Sequence, residues 1–98
     1  MTWRVDFRPV ARREFDEAAS WYEDRRAGLG AQFIAEVGNA IKLVQEHPQR
    51  FPITHGEIRC VRVRRFPYSV FFRTERTRIV VLAVFHARRD PALWGDRP

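Results

Sequence analysis

The amino-acid sequence predicts an α+β domain: a helical hairpin packed on one face of a mostly antiparallel four-stranded sheet, in the order β-α-α-β-β-β. Three observations predict it. Apolar residues between positions 9 and 46 recur at helical spacing, those between 58 and 85 alternate or run on as strands do, and a short alternating stretch precedes the first helix. The 98 residues suit a single domain spanning 1–98, because a chain of this size buries roughly two-thirds of its unfolded surface. With 45% hydrophobic and 13% aromatic residues, the composition supplies one core and excludes a disordered tail.

Each element has its own signal. Trp3-Arg4-Val5-Asp6-Phe7 alternates with period two, which predicts a half-buried strand over 3–7. Pro9 suits the first turn of a helix, where its missing N–H costs nothing. Phe15, Ala18, Ala19 and Tyr22 then form one stripe of a helix over 9–27, with Arg12, Arg13, Asp16, Glu17, Glu23 and Asp24 on the wet side. Gly28 and Gly30 bracket Leu29 and are expected to end it, one as a left-handed cap. Phe33, Ile34, Val37, Ile41 and Val44 predict a second helix over 30–46, stopped by His47-Pro48.

Beyond a loop holding Pro48, Pro52 and Gly56, alternation from Ile58 predicts a strand over 58–64. A turn at Phe66-Pro67 leads to a strand over 68–73, and a polar hairpin loop at Thr74-Glu75-Arg76-Thr77 leads to a last strand over 78–85. Ile79 to Phe85 is nearly all apolar, as a central strand covered on both faces would be. A tail, 86–98, completes the chain.

Charge is distributed unevenly. Residues 1–50 balance eight basic against eight acidic groups, whereas residues 51–98 carry ten Arg against four carboxylates, so the whole net charge of +6 sits in the second half. Such asymmetry points to an anionic partner, either nucleic acid or an acidic protein segment. The longest apolar run is far short of the roughly 20 residues of a membrane helix. The first residues lack the apolar stretch of a signal peptide, and a soluble, cytoplasmic protein is expected. One cysteine, Cys60, excludes an internal disulfide framework and reads as core filler.

Familiar catalytic signatures are absent: no glycine-rich phosphate loop, no G-x-S-x-G and no H-E-x-x-H. His47, His55 and His86 lack close metal-ligand spacing, so neither a metal nor a cofactor is expected. The paired carboxylates Asp16-Glu17 and Glu23-Asp24 read as surface salt pairing. Arginines carry the stronger signal. Arg59, Arg62, Arg64 and Arg65 lie within seven residues, and alternation sets Arg62 and Arg64 opposite Val61 and Val63. Arg88 and Arg89 follow the last strand, so six guanidinium forks are candidates to line one anion-binding surface; protection of a solvated sheet edge is the alternative. His86, next to Arg88 and Arg89, has the chemistry of a general acid or base, although a packed or rim histidine is the commoner role. Trp94 has the means to stack on a base, or to tie the tail onto the core.

These residues together resemble the RelE/ParE superfamily of bacterial type II toxins, from Val5 to about Trp94. The start Val5-Asp6-Phe7-Arg8-Pro9-Val10-Ala11, the helices ending at Glu46-His47-Pro48, and the block Arg62-Val63-Arg64-Arg65-Phe66-Pro67-Tyr68 carry the resemblance. The finish, Val80-Val81-Leu82-Ala83-Val84-Phe85-His86-Ala87-Arg88-Arg89-Asp90-Pro91, is the most specific piece. The resemblance implies a small basic toxin paired with an antitoxin whose acidic and apolar C-terminal segment wraps around it and folds on binding. It would contact the hairpin at Phe15, Tyr22 and Phe33 and the basic half at Arg62 and Arg64.

Two activities divide that superfamily. RelE-type members cut messenger RNA on the ribosome without metal, using basic residues with a Tyr, His or Glu. ParE-type members poison DNA gyrase. No Tyr follows Tyr68, so the usual C-terminal Tyr of the ribonuclease branch has no counterpart; in a nuclease, Arg62, Arg64, His86 and Arg88 would have to serve. An arginine stays protonated at neutral pH and makes a poor general base. The resemblance therefore implies a gyrase-directed toxin that is not an enzyme, with Arg59, Arg62, Arg64, Arg65, Arg88, Arg89 and Trp94 facing its target. The ribosome-dependent nuclease is the alternative, and a non-toxic antitoxin-binding module is a third.

Overall fold

The computed structural model describes residues 3–86. Strand β1 (Arg4–Phe7) leads into helix α1 (Pro9–Arg25), then α2 (Leu29–Glu46), a single 3-10 turn at Pro48–Arg50, and strands β2 (Ile53–His55), β3 (Ile58–Arg62), β4 (Tyr68–Glu75) and β5 (Arg78–His86). The sheet has five strands in the order β1-β5-β4-β3-β2. β1 runs parallel to β5, and the remaining pairs are antiparallel. The expected four-stranded, mostly antiparallel sheet is thus corrected to a five-stranded mixed one. The added strand, β2, is three residues long and exposed throughout, Ile53 to 57%. With no buried face it has no alternation to read. Its shortness also blunts the edge it forms.

Pro9 opens α1, which buries Ala11, Phe15 and Ala18 on one stripe. The helix ends at Arg25, where the Arg26 N–H donates to Tyr22 O. Only Gly28 punctuates the link: at φ 90° it takes the left-handed conformation that glycine adopts without steric cost. Gly30 lies inside α2, not at the end of α1. Its position is crowded, since a Cβ there would stand 2.6 Å from Ala19 O and 2.9 Å from Glu23 Cβ. Only hydrogen on that Cα lets the two helices meet. Glu23 bridges the same junction, accepting hydrogen bonds from Gly28 N (2.8 Å) and Gly30 N (3.0 Å). Its carboxylate therefore satisfies donors at the start of α2, where no side-chain cap comes from the N-cap residue.

α2 buries Gly30, Phe33, Val37, Ala40 and Val44. The stripe is narrower than the sequence suggests, and Ile34 is 49% exposed. His47 closes the helix with its N–H on Leu43 O, and Pro48 diverts the chain into the 3-10 turn.

β5 is an interior strand, flanked by β1 and β4 and buried from Ile79 to Phe85. Phe71 pairs with Ala83 while Phe72 pairs with Val81, which leaves Leu82 as the extra residue of a β-bulge. The bulge resets the alternation. Ile79, Val81 and Val84 join the main core with Phe15, Phe33, Val37, Val70 and Phe72 on the helical side, whereas Val80, Leu82, Ala83 and Phe85 form a second cluster with Ile58 and Phe71 on the other face.

Candidate functional site

Where α1 passes the ends of β4 and β5, the fold leaves a groove of about 560 Å3. Its apolar wall is aromatic. Tyr22 lies 5.2 Å from Trp21 and 6.2 Å from Tyr68, and Tyr68 packs edge-on against His86 at 5.4 Å, its register partner in β5. Behind them Phe33, fully buried, stands 5.2–5.3 Å from Tyr22, Phe66 and Tyr68. Phe33 meets Phe66 and Tyr68 edge-to-face, a geometry worth about 0.5–1.5 kcal/mol per pair beyond area burial, and Tyr22 at a tilt of 35°, so the groove wall is held by a packed aromatic lattice. Trp21 is 52% exposed, and the Arg25 guanidinium sits 4.1 Å above its ring.

Two carboxylates, Glu14 and Glu17, complete the groove on its α1 side. Glu14 accepts a hydrogen bond from Val84 N at 3.0 Å, tying α1 to β5 just past the bulge. Burial pushes the Tyr22 phenol above its usual range, with neighbouring Tyr68 adding to the rise, so Tyr22 offers a neutral hydroxyl at physiological pH.

The structure treats the arginines unequally. Arg62 and Arg64 are exposed and alternate with buried Val61 and Val63. Arg59 shares the phase of Val61 and turns inward, donating to Gln49 O (3.2 Å) and Phe51 O (2.6 Å). It fastens the segment before β2 and does not join Arg62. Arg65 occupies a turn at φ 72° and stands 4.0 Å from Glu36. Arg88, Arg89 and Trp94 lie outside the described residues. His86 packs edge-on against Tyr68 at the helical side, while Arg62 alternates with buried Val61 and lies on the opposite face, so these two members of the set named for a nuclease do not share a face. Phe15 and Phe33 are core residues whose surfaces are spent on packing, and Tyr22 is the hairpin aromatic that reaches the groove. Cys60 is half-buried, and burial raises its thiol above the usual range. Among the described residues, no three His, Cys, Asp or Glu side chains gather as a metal site, and no helix is long and apolar enough to cross a membrane.

Sequence reasoning passed over Trp21 and Glu14. A tryptophan beside the Phe15–Tyr22 stripe but off it was a readable sign of an exposed aromatic. Glu14 meets a partner 70 residues away, which no local pattern reveals.

A helical hairpin packed on one face of a mixed five-stranded sheet, with an open aromatic groove beside α1, is consistent with the RelE/ParE fold. A solved structure of the same fold is the chromosomal ParDE TA system from P. aeruginosa, matched with a TM-score of 0.75 at 16% identity over 87% of this chain and 96% of that one. The chain belongs to the family of ParE toxins of the type II toxin–antitoxin system parDE, which it matches over residues 5–91. No match is found among curated proteins.

Proposed function

We propose that this chain arrests growth by poisoning DNA gyrase and is neutralised by a cognate antitoxin seated in the groove between α1 and the β4–β5 ends. The observation that carries the reading is the open aromatic groove, with Trp21 half exposed at its rim, in a chain of the ParE family. A tryptophan and two tyrosines on rigid elements present large apolar area at low entropy cost, the composition of interface anchors. A helical or extended antitoxin segment would bury apolar side chains against Trp21, Tyr22 and Tyr68 in the groove and, running on around the end of the sheet, set acids on Arg62 and Arg64 beyond it. Folding on binding draws its driving force from such burial. With those surfaces covered, the target-facing arginines are masked, and the toxin is silent.

The test is a supercoiling reaction with purified toxin, gyrase, ATP and plasmid, with and without antitoxin. Loss of supercoiling with trapped cleaved plasmid, reversed by antitoxin, is the expected result. An inactive chain in that reaction that still arrests growth would move the target to translating ribosomes. Absence of growth arrest on induction would leave an antitoxin-binding module. The docking surface is tested separately: Trp21→Ala, and the charge reversals Arg62→Glu with Arg64→Glu, are each expected to weaken antitoxin binding at least about tenfold, or roughly 1.4 kcal/mol. Unchanged affinity in both variants would place the antitoxin elsewhere.

A further inference from the structure

The end of the sheet farthest from the groove carries a second basic cluster. The β4–β5 hairpin turns at Arg76, which is left-handed at φ 55°, and Thr77, whose carbonyl accepts the Arg4 N–H at 3.3 Å. Register then places Arg4 beside Arg78 and Glu75 beside Arg78. Alternation sends Arg4, Asp6, Arg73, Glu75 and Arg78 to the face away from the helices. There they form one chain of charges. Asp6 Oδ2 lies 3.0 Å from Arg4 and 3.3 Å from Arg78, Glu75 lies 2.7 Å from Arg73, and its other oxygen accepts from Arg78.

The charges do not balance. Four guanidiniums, of Arg4, Arg73, Arg76 and Arg78, surround two carboxylates, each shared between two arginines. Arg76 is exposed and, among the described residues, has no carboxylate partner. Arg4, Arg76, Arg78, Thr77 and Glu75 line a cleft of about 370 Å3. Isolated surface ion pairs match one charge with one and contribute little. Here the carboxylates serve instead as struts that hold Arg4, Arg73 and Arg78 in place, so part of the ordering cost of binding an anion is met in advance, and Arg76 adds an uncompensated charge at the tip. Guanidinium forks that line one cleft from β1, β5 and the turn between β4 and β5 suit the tetrahedral oxygens of phosphate, which offer more acceptors than a planar carboxylate.

We propose that this hairpin-tip cleft binds a backbone phosphate of nucleic acid through Arg4 and Arg76. It is a site distinct from the groove and from the Arg62 edge, and it depends on neither the antitoxin nor the gyrase reading. Binding is independent of base sequence and weakens with salt, because phosphate contacts release condensed counterions.

The experiment measures fluorescence anisotropy of a labelled duplex of about 20 base pairs with the full chain, across roughly 50–200 mM salt. The slope of log affinity against log salt is read for the parent and three variants. Arg4→Gln with Arg76→Gln is expected to flatten it by roughly 0.9, the contribution of one phosphate contact on duplex DNA. Arg13→Gln with Arg26→Gln removes equal charge from exposed positions in and just beyond α1 and is expected to leave the slope unchanged. Equal losses in both pairs would mean a response to net charge alone and would overturn the site, as would no loss in either. Arg76→Gln alone, which breaks no ion pair, decides the matter if the double variant melts early; a resolved flattening of up to about 0.9 supports the site and none refutes it. Inorganic phosphate that displaces the duplex completely at matched ionic strength would identify a free-phosphate site and overturn the nucleic-acid assignment.

Discussion

Two glycines of α2 are expected to respond to alanine in opposite directions. In helix interiors glycine costs roughly 0.5–1 kcal/mol relative to alanine, so propensity alone favours both substitutions. At Gly38 nothing lies within 4 Å of the added Cβ, and Gly38→Ala is expected to gain that amount. At Gly30 the same atom would stand 2.6 Å from the Ala19 carbonyl oxygen and 2.9 Å from Glu23 Cβ and Oε1. The first obstacle is backbone and the third belongs to the carboxylate that binds Gly28 N and Gly30 N, so relief requires the helices to part. Overpacking of this kind costs about 1–3 kcal/mol, which exceeds the propensity gain and leaves a net loss of about 1–2 kcal/mol. For a domain of this size 1 kcal/mol moves the melting temperature by about 4–8 °C. Thermal melts followed by circular dichroism should therefore show Gly38→Ala up by about 2–8 °C and Gly30→Ala down by about 4–15 °C. A Gly30→Ala melting temperature at or above that of the parent would refute the close-contact argument.

Other perturbations follow from contacts described above. Glu14→Ala removes the acceptor of Val84 N; an unsatisfied amide costs about 1–3 kcal/mol, so the urea midpoint should fall, and an unchanged midpoint would show that the amide finds another partner. Phe33→Ala opens the aromatic lattice at its centre and should cost about 3–5 kcal/mol, whereas a loss below about 1 kcal/mol, within what one surface change does, would mean the lattice closes over the gap. The third concerns acid. The Arg4 hydrogen bond foremost, opposed by burial, holds the Asp6 carboxyl below its ordinary 3.8, and Arg78 and then Arg73 hold Glu75 below its ordinary 4.5. Carboxylates depressed by folding contribute stability that is complete above those ordinary values and is lost as pH falls through the lower folded ones. Asp6→Asn with Glu75→Gln should therefore lose less stability than the parent between neutral pH and about pH 3; equal losses would remove the network from the acid limb.

What the sequence made legible depends on how local each signal is. The unbroken apolar run of β5 announced a strand buried on both faces, and that is its place. Alternation over β1 fixed which side chains face inward but carries no information about neighbours, so its parallel pairing with β5 was not readable. β2 escaped notice because three exposed residues beside Pro52 show no pattern. At the site, Tyr22 stood on a readable stripe. The functions of Glu14 and Glu23 were hidden because their partners are backbone amides brought in by tertiary structure. Arg59 is a different case: its phase with Val61 and Val63 was already in the sequence, and counting arginines by proximity obscured it.

The parallel pairing of β1 with β5 has a consequence for how the chain acquires its shape. Arg4 meets Arg78 and Phe7 meets Val81, so the contacts that seat the first strand join positions 74 apart. Non-local pairings of this kind form late, since the loop they close must be ordered before the contacts repay it. A growing chain presents the α1–α2 hairpin early, yet it cannot seat β1 until β5 has left the ribosome. Tyr68 and His86 come together on the same schedule. The aromatic groove is therefore assembled only near the end of synthesis, and a nascent chain interrupted before β5 lacks it altogether.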